Sequence, residues 1–411
     1  MFDFTLLSRK KLPFWEILLI VYLLTVYLIP SASMGSTILL LLLLAYCAYI
    51  VFVDPKMFSP VIIPLLLIVF LAAAYAMLTD ASSIAEDVSN RELKRFISKT
   101  YQYVTLYFPA ILFVRISRIA TPTQKKLFVI VGNALMVYVI ITTWLFLLEN
   151  PEATRHWQDF DENAEQDVAN YYFVYAVPII ISAVSIFMLK FRGFVRYASL
   201  VLAIVGIIFL VNAQYTLAIL ITVIGILIQV FRHIRSTLNK TLFILGVLIF
   251  AVFLPQILGY IIGILPTGHI TVRLQEIRAF FTGKGADGYN LNSRITLYGD
   301  TLVAFFKSPV IGNRTLGFDG HATFLTVLAD TGIIGGSFFY ALLVTVCKRV
   351  QRYMGTHKQQ FGVIIMMFVM MGLTNPVHAA LPLGFVTWFL APLTIQTVLK
   401  EDPQYVQALE N

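Results

Sequence analysis

Charge is what this chain has least of. Only 13% of its 411 residues are Asp, Glu, Lys or Arg, and the mean hydropathy is +0.82. That excludes a soluble globular domain, which needs far more polar surface to stay dissolved. Cysteine is nearly absent. Cys47 and Cys347 both fall in or beside apolar stretches, so no disulfide framework and no cysteine metal cluster is expected. There is no internal repeat and no low-complexity tract. The apolar runs also lack the alternation of strands. Backbone groups in lipid must be satisfied internally, by helices or by a closed barrel; without alternation the helices remain. The first apolar stretch is full length and has no small-residue cleavage site, so it reads as a span rather than a cleaved signal.

What is present is a succession of apolar segments, many of them long enough to cross a ~30 Å hydrocarbon core. They fall near 13–30, 35–53, 59–78, 101–118, 127–149, 170–189, 197–212, 216–231, 241–264, 323–347, 361–378 and 379–398. The expected fold is all-α, a polytopic membrane bundle of about twelve spans forming a single integral membrane domain over 1–411. An even number of spans places both termini on one side. Alternate connections carry most of the basic residues, among them Arg9 to Lys11, Arg115 to Lys126, Lys190 to Arg196, Arg232 to Lys240 and Lys348 to Lys358. The other connections carry most of the acids. The positive-inside rule assigns the basic set and both termini to the cytoplasm. The net charge of +8 is then a matter of topology and of contact with anionic membrane lipids, not of nucleic-acid binding.

Three non-cytoplasmic connections are long. Residues 79–100 contain Asn90-Arg-Glu-Leu-Lys-Arg-Phe, an amphipathic pattern suited to the membrane surface. Residues 150–169 are acidic, and Asp159-Phe-Asp-Glu there reads as a solvated stretch more readily than as a metal motif. The longest, 265–322, is the most informative, since long loops in compact proteins usually serve function. Ile270, Leu274, Ile277 and Phe281 have helical spacing and predict a short amphipathic helix carrying Arg273 and Arg278. Gly283-Lys-Gly-Ala-Asp-Gly follows; it lacks the ending of a phosphate-binding loop. A second helix is predicted from Asn292 or Ser293 as N-cap to the residues before Pro309. Arg294 lies in its first turn, where the helix dipole disfavours a cation unless an anion binds there. Pairing of Arg294 with Asp300 is an equally good reading. Val310-Ile-Gly-Asn-Arg-Thr-Leu-Gly-Phe-Asp-Gly-His then brings Arg314, Asp319 and His321 to the mouth of the tenth span. An imidazole near neutral pKa suits removing a proton from a hydroxyl; a histidine that caps the helix start is the plainer alternative. Asp319 is placed to orient it. Asp330, nine residues on, falls on the opposite face of a continuous helix. Gly332, Gly335 and Gly336 permit close packing.

Ser293-Arg294, Phe305/Phe306 before Pro309, Gly312, Gly317, His321-x-x-Phe324-Leu325 and Asp330-x-Gly332-x-x-Gly335 together resemble the signature of the O-antigen polymerase and O-antigen ligase superfamily. The match covers about 293–340. The resemblance implies a GT-C type fold and a glycosyltransferase of the bacterial inner membrane, acting on its periplasmic or extracellular face. It implies undecaprenyl-diphosphate-linked glycans as substrates, flippase and chain-length regulator proteins as associates, and neither cofactor nor metal. It further implies His321 acting on the acceptor and Arg294 on the diphosphate, with Arg273, Arg278 and Arg314 as further cations and Asp319 and Asp330 in support. Two positions depart from the pattern. Ala322 follows the histidine where Asn is common, and Asn212-Ala-Gln-Tyr-Thr stands where many members carry Ser-Arg, so Arg91 or Arg95 is a candidate replacement. Polymerase is the preferred reading and ligase the alternative within the class. A metal-dependent sugar transferase would want acids in the first outer turn, where residues 31–34 have none. A transporter is the alternative from another class.

Overall fold

A computed structural model of the chain describes residues 11–32, 34–77, 88–150, 154, 168–213, 215–264, 269–282, 290–313, 322–377 and 380–399. Among these, all regular structure is helical. In chain order the helices are α1 (Phe14–Leu28), α2 (Ser36–Val53), α3 (Phe58–Met77), α4 (Val88–Ile119), α5 (Pro122–Glu149), α6 (Tyr171–Lys190), α7 (Phe194–Ala213), α8 (Thr216–His233), α9 (Thr237–Ile264), α10 (His269–Thr282), α11 (Asn290–Lys307), α12 (Thr323–Met354), α13 (Lys358–Thr374) and α14 (Leu381–Leu399). Among the described residues, nine helical stretches are long and apolar enough to cross a membrane; α12 and α13 together form one of these, and α1 is apolar but shorter. The chain is a membrane-embedded polytopic helical bundle.

Two apolar helices show where the core lies. Of the most apolar window in α6, 83% is buried, whereas for α9 the figure is 6%. A helix apolar all round belongs either in a protein core or in lipid, and this bundle uses both. Alongside α6, the axis consists of α14 and the middle of α4, with Trp388, Tyr107, Phe108, Phe113 and Phe173 fully enclosed. Gly384 brings the backbone of α14 onto that of α4; a Cβ there would lie 2.7 Å from the Leu106 carbonyl oxygen. Within α14, Val386–Leu390 widens into a π turn, with the Ala391 N–H donating to the Val386 carbonyl. Pro392 has no N–H for the regular ladder, and the wider turn accommodates its ring.

One end of the bundle gathers the basic turns between α2 and α3, α4 and α5, α6 and α7, α8 and α9, and α12 and α13. It is called here the basic end; the end bearing the start of α4, α10 and α11 is the loop end. A buried ionic cluster ties the basic end together. Glu16 of α1 is fully buried, and its carboxylate accepts from Arg115 of α4 (Nε–Oε1 3.2 Å) and from the Tyr46 hydroxyl of α2 (2.7 Å). Asp54, after α2, lies 3.5 Å from Arg115 and 3.2 Å from Arg118. By sequence Arg115 and Arg118 are topology markers only. Their pairing partners come from helices sixty to a hundred positions away, and no local pattern records that. At α5, Thr121 and Gln124 form a reciprocal capping box, and the Gln124 side chain also pairs with the backbone of Leu12 (3.0 and 3.2 Å).

Residues 79–100 read by sequence as an outer connection with an amphipathic stretch at the membrane surface, and of these 88–100 are described. They are the first turns of α4, one continuous 32-residue helix. Nothing in Arg91 to Lys99 breaks a helix, so the amphipathic stretch and the apolar one fuse.

Candidate functional site

The loop end is organised by a reversal inside α12. The 32-residue element bends at Gly332, whose φ of 61° and ψ of −162° are non-helical and open essentially to glycine alone. Residues 323–331 fold back along the rest of α12. The Phe324 ring therefore meets Phe339 (centroids 5.4 Å apart), the Tyr340 hydroxyl donates to the Phe324 carbonyl at 3.4 Å, and Leu328 fills the space over Gly336. In a continuous helix residues 324 and 340 would be about 24 Å apart. The break falls after Asp330, so residues 323–331 stay helical and the reading of Asp330 on the face opposite the helix start is untouched by it, but the tenth span is not one continuous rod. The backbone freedom of one glycine, with Gly335 and Gly336 beside it, replaces the rod by a hairpin. The glycines do serve packing, but they pack the chain's own preceding turns.

The segment after α11 locks the reversal. Asn313 N–H donates to the Ala329 carbonyl (2.7 Å), while Ile333 and Ile334 N–H donate to the carbonyls of Pro309 (2.8 Å) and Val310 (3.2 Å). The break in α12 exposes backbone groups, and 309–313 satisfies them. The approach is close: a Cβ on Gly312, itself at φ 80°, would lie 2.2 Å from the Asp330 carbonyl oxygen, and one on Gly332 would lie 2.4 Å from that of Val310. The glycines of the Gly312 and Asp330-x-Gly332-x-x-Gly335 pattern thus meet in one structure.

The start of α12 is pinned at a second point. Thr323 is fully buried; its N–H and hydroxyl donate to the Asn375 carbonyl (3.3 and 3.2 Å), and its hydroxyl accepts from Val377 N–H (2.7 Å). The Tyr171 hydroxyl of α6 donates to the Asn375 side-chain oxygen. The Tyr298 hydroxyl of α11 donates to the Thr374 carbonyl (3.3 Å). Around Tyr171, the rings of Tyr172, Tyr175 and Tyr215 meet edge-to-face or tilted, with centroids 5.0 to 5.7 Å apart.

The candidate residues fall as follows. Arg294 lies on α11 one turn before Tyr298, on the same face by helical spacing; its side chain lies outside the described atoms, as does that of Arg273 on α10. The helix begins at Asn290 rather than at 292 or 293. Asn290, Asn292 and Ser293 are all good caps, and local chemistry does not choose among them. Arg278 rests against α9, where a Cβ on Gly259 would be 3.0 Å from its guanidinium carbon. Arg314, Asp319 and His321 lie outside the described residues, as does Asp159-Phe-Asp-Glu. Ala322 and Thr323, the first described residues after His321, are buried.

Asp330 is the described candidate with charged company. It sits at the reversal, where α12 meets the ends of α3 and α4, and its electrostatic neighbours are Lys99 and Arg95 of α4. Lys99 Nζ stands 4.5 Å from the ring centre of Tyr75, whose hydroxyl accepts from Tyr103 at 3.5 Å. Burial pushes the Lys99 ammonium below the usual lysine range; Asp330 opposes that fall and Arg95 adds to it. Arg95 was named from sequence as a possible replacement arginine. Lys99 was missed, although a lysine at i+4 from Arg95 just before an apolar span on the acidic side was a usable signal. Among the described residues no three His, Cys, Asp or Glu side chains gather as a metal site. Compared with protein-family models and with curated proteins, the chain finds a match in neither.

Proposed function

We propose that this chain is a glycosyltransferase of the O-antigen polymerase and ligase kind, with twelve membrane crossings in a GT-C type arrangement and its loop end on the non-cytoplasmic face. In this reading it polymerises surface-polysaccharide repeat units. The glycan leaves an undecaprenyl-diphosphate donor and joins a sugar hydroxyl of a second lipid-linked unit. The bond from the anomeric carbon to the diphosphate oxygen breaks as the bond to the acceptor oxygen forms. The acceptor proton passes to His321, and the departing diphosphate keeps the electron pair and is neutralised by Arg294, with Arg273, Arg278 and Arg314 as further cations. Fixed guanidinium groups stabilise such developing charge without reorganising. Asp319 orients the imidazole.

One observation carries the reading. α11, which bears Arg294, and the start of α12, which follows His321 directly, are both fastened to the same turn at Thr374–Asn375. Two parts of the signature that are 27 positions apart in sequence are thereby tied to one anchor at the loop end. Reconstituted protein supplied with lipid-diphosphate-linked repeat units is expected to make a polymer ladder, with or without EDTA. His321→Ala and Arg294→Ala are each expected to abolish it while the protein still inserts. A wild-type ladder in either variant removes that residue from the site, and loss of activity in EDTA removes the metal-free mechanism.

Within the class, a ligase differs only in its acceptor, and supplying lipid A core in place of a second repeat unit separates the two. The broken α12 with an acid in the field of a half-buried lysine also fits a carrier. Substrate flux across sealed vesicles without glycan transfer would favour that instead.

A further inference from the structure

We propose that Lys99 and Arg95 of α4 bind the phosphate groups of a polyprenyl carrier at the corner between α3, α4 and the reversal of α12, with Asp330 as the counter-charge that the ligand displaces. This deepens the proposed function and rests on it for the face of the membrane and the identity of the lipid.

Four features converge on this corner. First, Arg95 and Lys99 are spaced i, i+4, so they share a face of α4 as like charges, an arrangement that weakens a helix unless something compensates. Second, compensation inside the described structure is incomplete. Asp330 is the acid acting on both cations, and among the described residues it forms no ion pair within 4.0 Å with either. Among the described residues, two positive charges face one negative charge. Third, Lys99 is held partly buried over the Tyr75 ring, so its ammonium has given up much of its water and favours an anion more strongly than a surface lysine does. Fourth, the positive-inside rule depletes the loop end of cations, yet Arg91, Lys94, Arg95 and Lys99 all stand within nine residues there.

The surroundings argue for a lipid rather than a free phosphate. The hydrogen bonds from Ile333 to Pro309 and from Ile334 to Val310 bring Val310, Ile311, Ile333 and Ile334 together beside Asp330. Their exposures are 57%, 41%, 57% and 48%. A cationic corner bordered by an exposed apolar strip suits an amphiphile with an anionic head.

The test uses the purified full chain in phosphatidylcholine nanodiscs, with undecaprenyl diphosphate, inorganic pyrophosphate and phosphatidylglycerol as probes, read by native mass spectrometry. Undecaprenyl diphosphate is expected to bind in preference to the other two. Lys99→Gln and Arg95→Gln are each expected to weaken that binding about tenfold, the loss of one charge-assisted contact. Lys99→Arg is expected to restore it, and Asp330→Asn to retain or tighten it. An unchanged melting temperature for Lys99→Gln separates loss of binding from loss of fold. Wild-type binding in the Lys99→Gln/Arg95→Gln double variant overturns the site, as does weakened binding in Asp330→Asn. Equal binding of pyrophosphate overturns the lipid assignment. Carrier binding that depends on Lys99 without any glycan transfer would leave this site standing and sink the transferase; transfer at the wild-type rate in the double variant would do the reverse.

Discussion

At the scale of single residues, Gly332 has the most consequence. Its backbone conformation is closed to side chains, and the Val310 carbonyl occupies the place a Cβ would take. Gly332→Ala is expected to destabilise the protein by about 3 kcal/mol or more, read as a fall in melting temperature in detergent. Gly246, whose added Cβ would meet nothing within 4 Å, is the control. Substitution there to Ala is expected to be neutral or slightly stabilising, since glycine inside a helix is worth up to about 1 kcal/mol less than alanine. Equal behaviour at the two positions would remove the reversal. The glycines are readable in sequence as small residues at packing distance. Which packing they permit is not readable, because a φ value is a property of the folded backbone.

At the scale of elements, the buried ionic cluster joins α1, α2 and α4. Arg115→Met would leave the Glu16 carboxylate enclosed and without its cation, a change of about 3–5 kcal/mol. The Glu16→Gln/Arg115→Met double variant, which removes both charges, is expected to recover most of that loss. Thermal unfolding of the three proteins checks this, and a double variant as unstable as the single one would deny the coupling. Helices α6 and α9 offer a second comparison. Ile180→Ala in the enclosed α6 is expected to lower stability by about 2–5 kcal/mol through the cavity it leaves, whereas Leu248→Ala in α9, 58% exposed, removes almost no protein contact. Comparable losses at the two sites would mean that α9 is covered by protein. The existence and approximate limits of the helices follow from apolar length and, for α11, from Pro309. Their neighbours do not, because lipid and protein interiors are equally apolar and one hydropathy pattern serves both.

At the scale of the whole molecule, the proposed orientation of the bundle rests on the distribution of charge. Single cysteines at Lys94 and Arg235, placed in a chain lacking Cys47 and Cys347, test the orientation with a membrane-impermeant thiol reagent. Lys94→Cys is expected to react in intact cells and Arg235→Cys only after permeabilisation. The opposite result would invert the bundle and place the proposed site in the cytoplasm. By itself the sequence determined that this is a helical membrane protein, where its apolar segments lie and which connections are basic. Those properties follow from summed transfer free energies and local periodicity, which each segment carries alone. The tertiary structure decided the folding back of α12, the joining of α11 to the turn after α13, and the meeting of Asp330 with Lys99. The latter two bring residues from 76 to 231 positions apart into one neighbourhood, and all three depend on backbone geometry and on packing between helices, which no local pattern of side chains encodes.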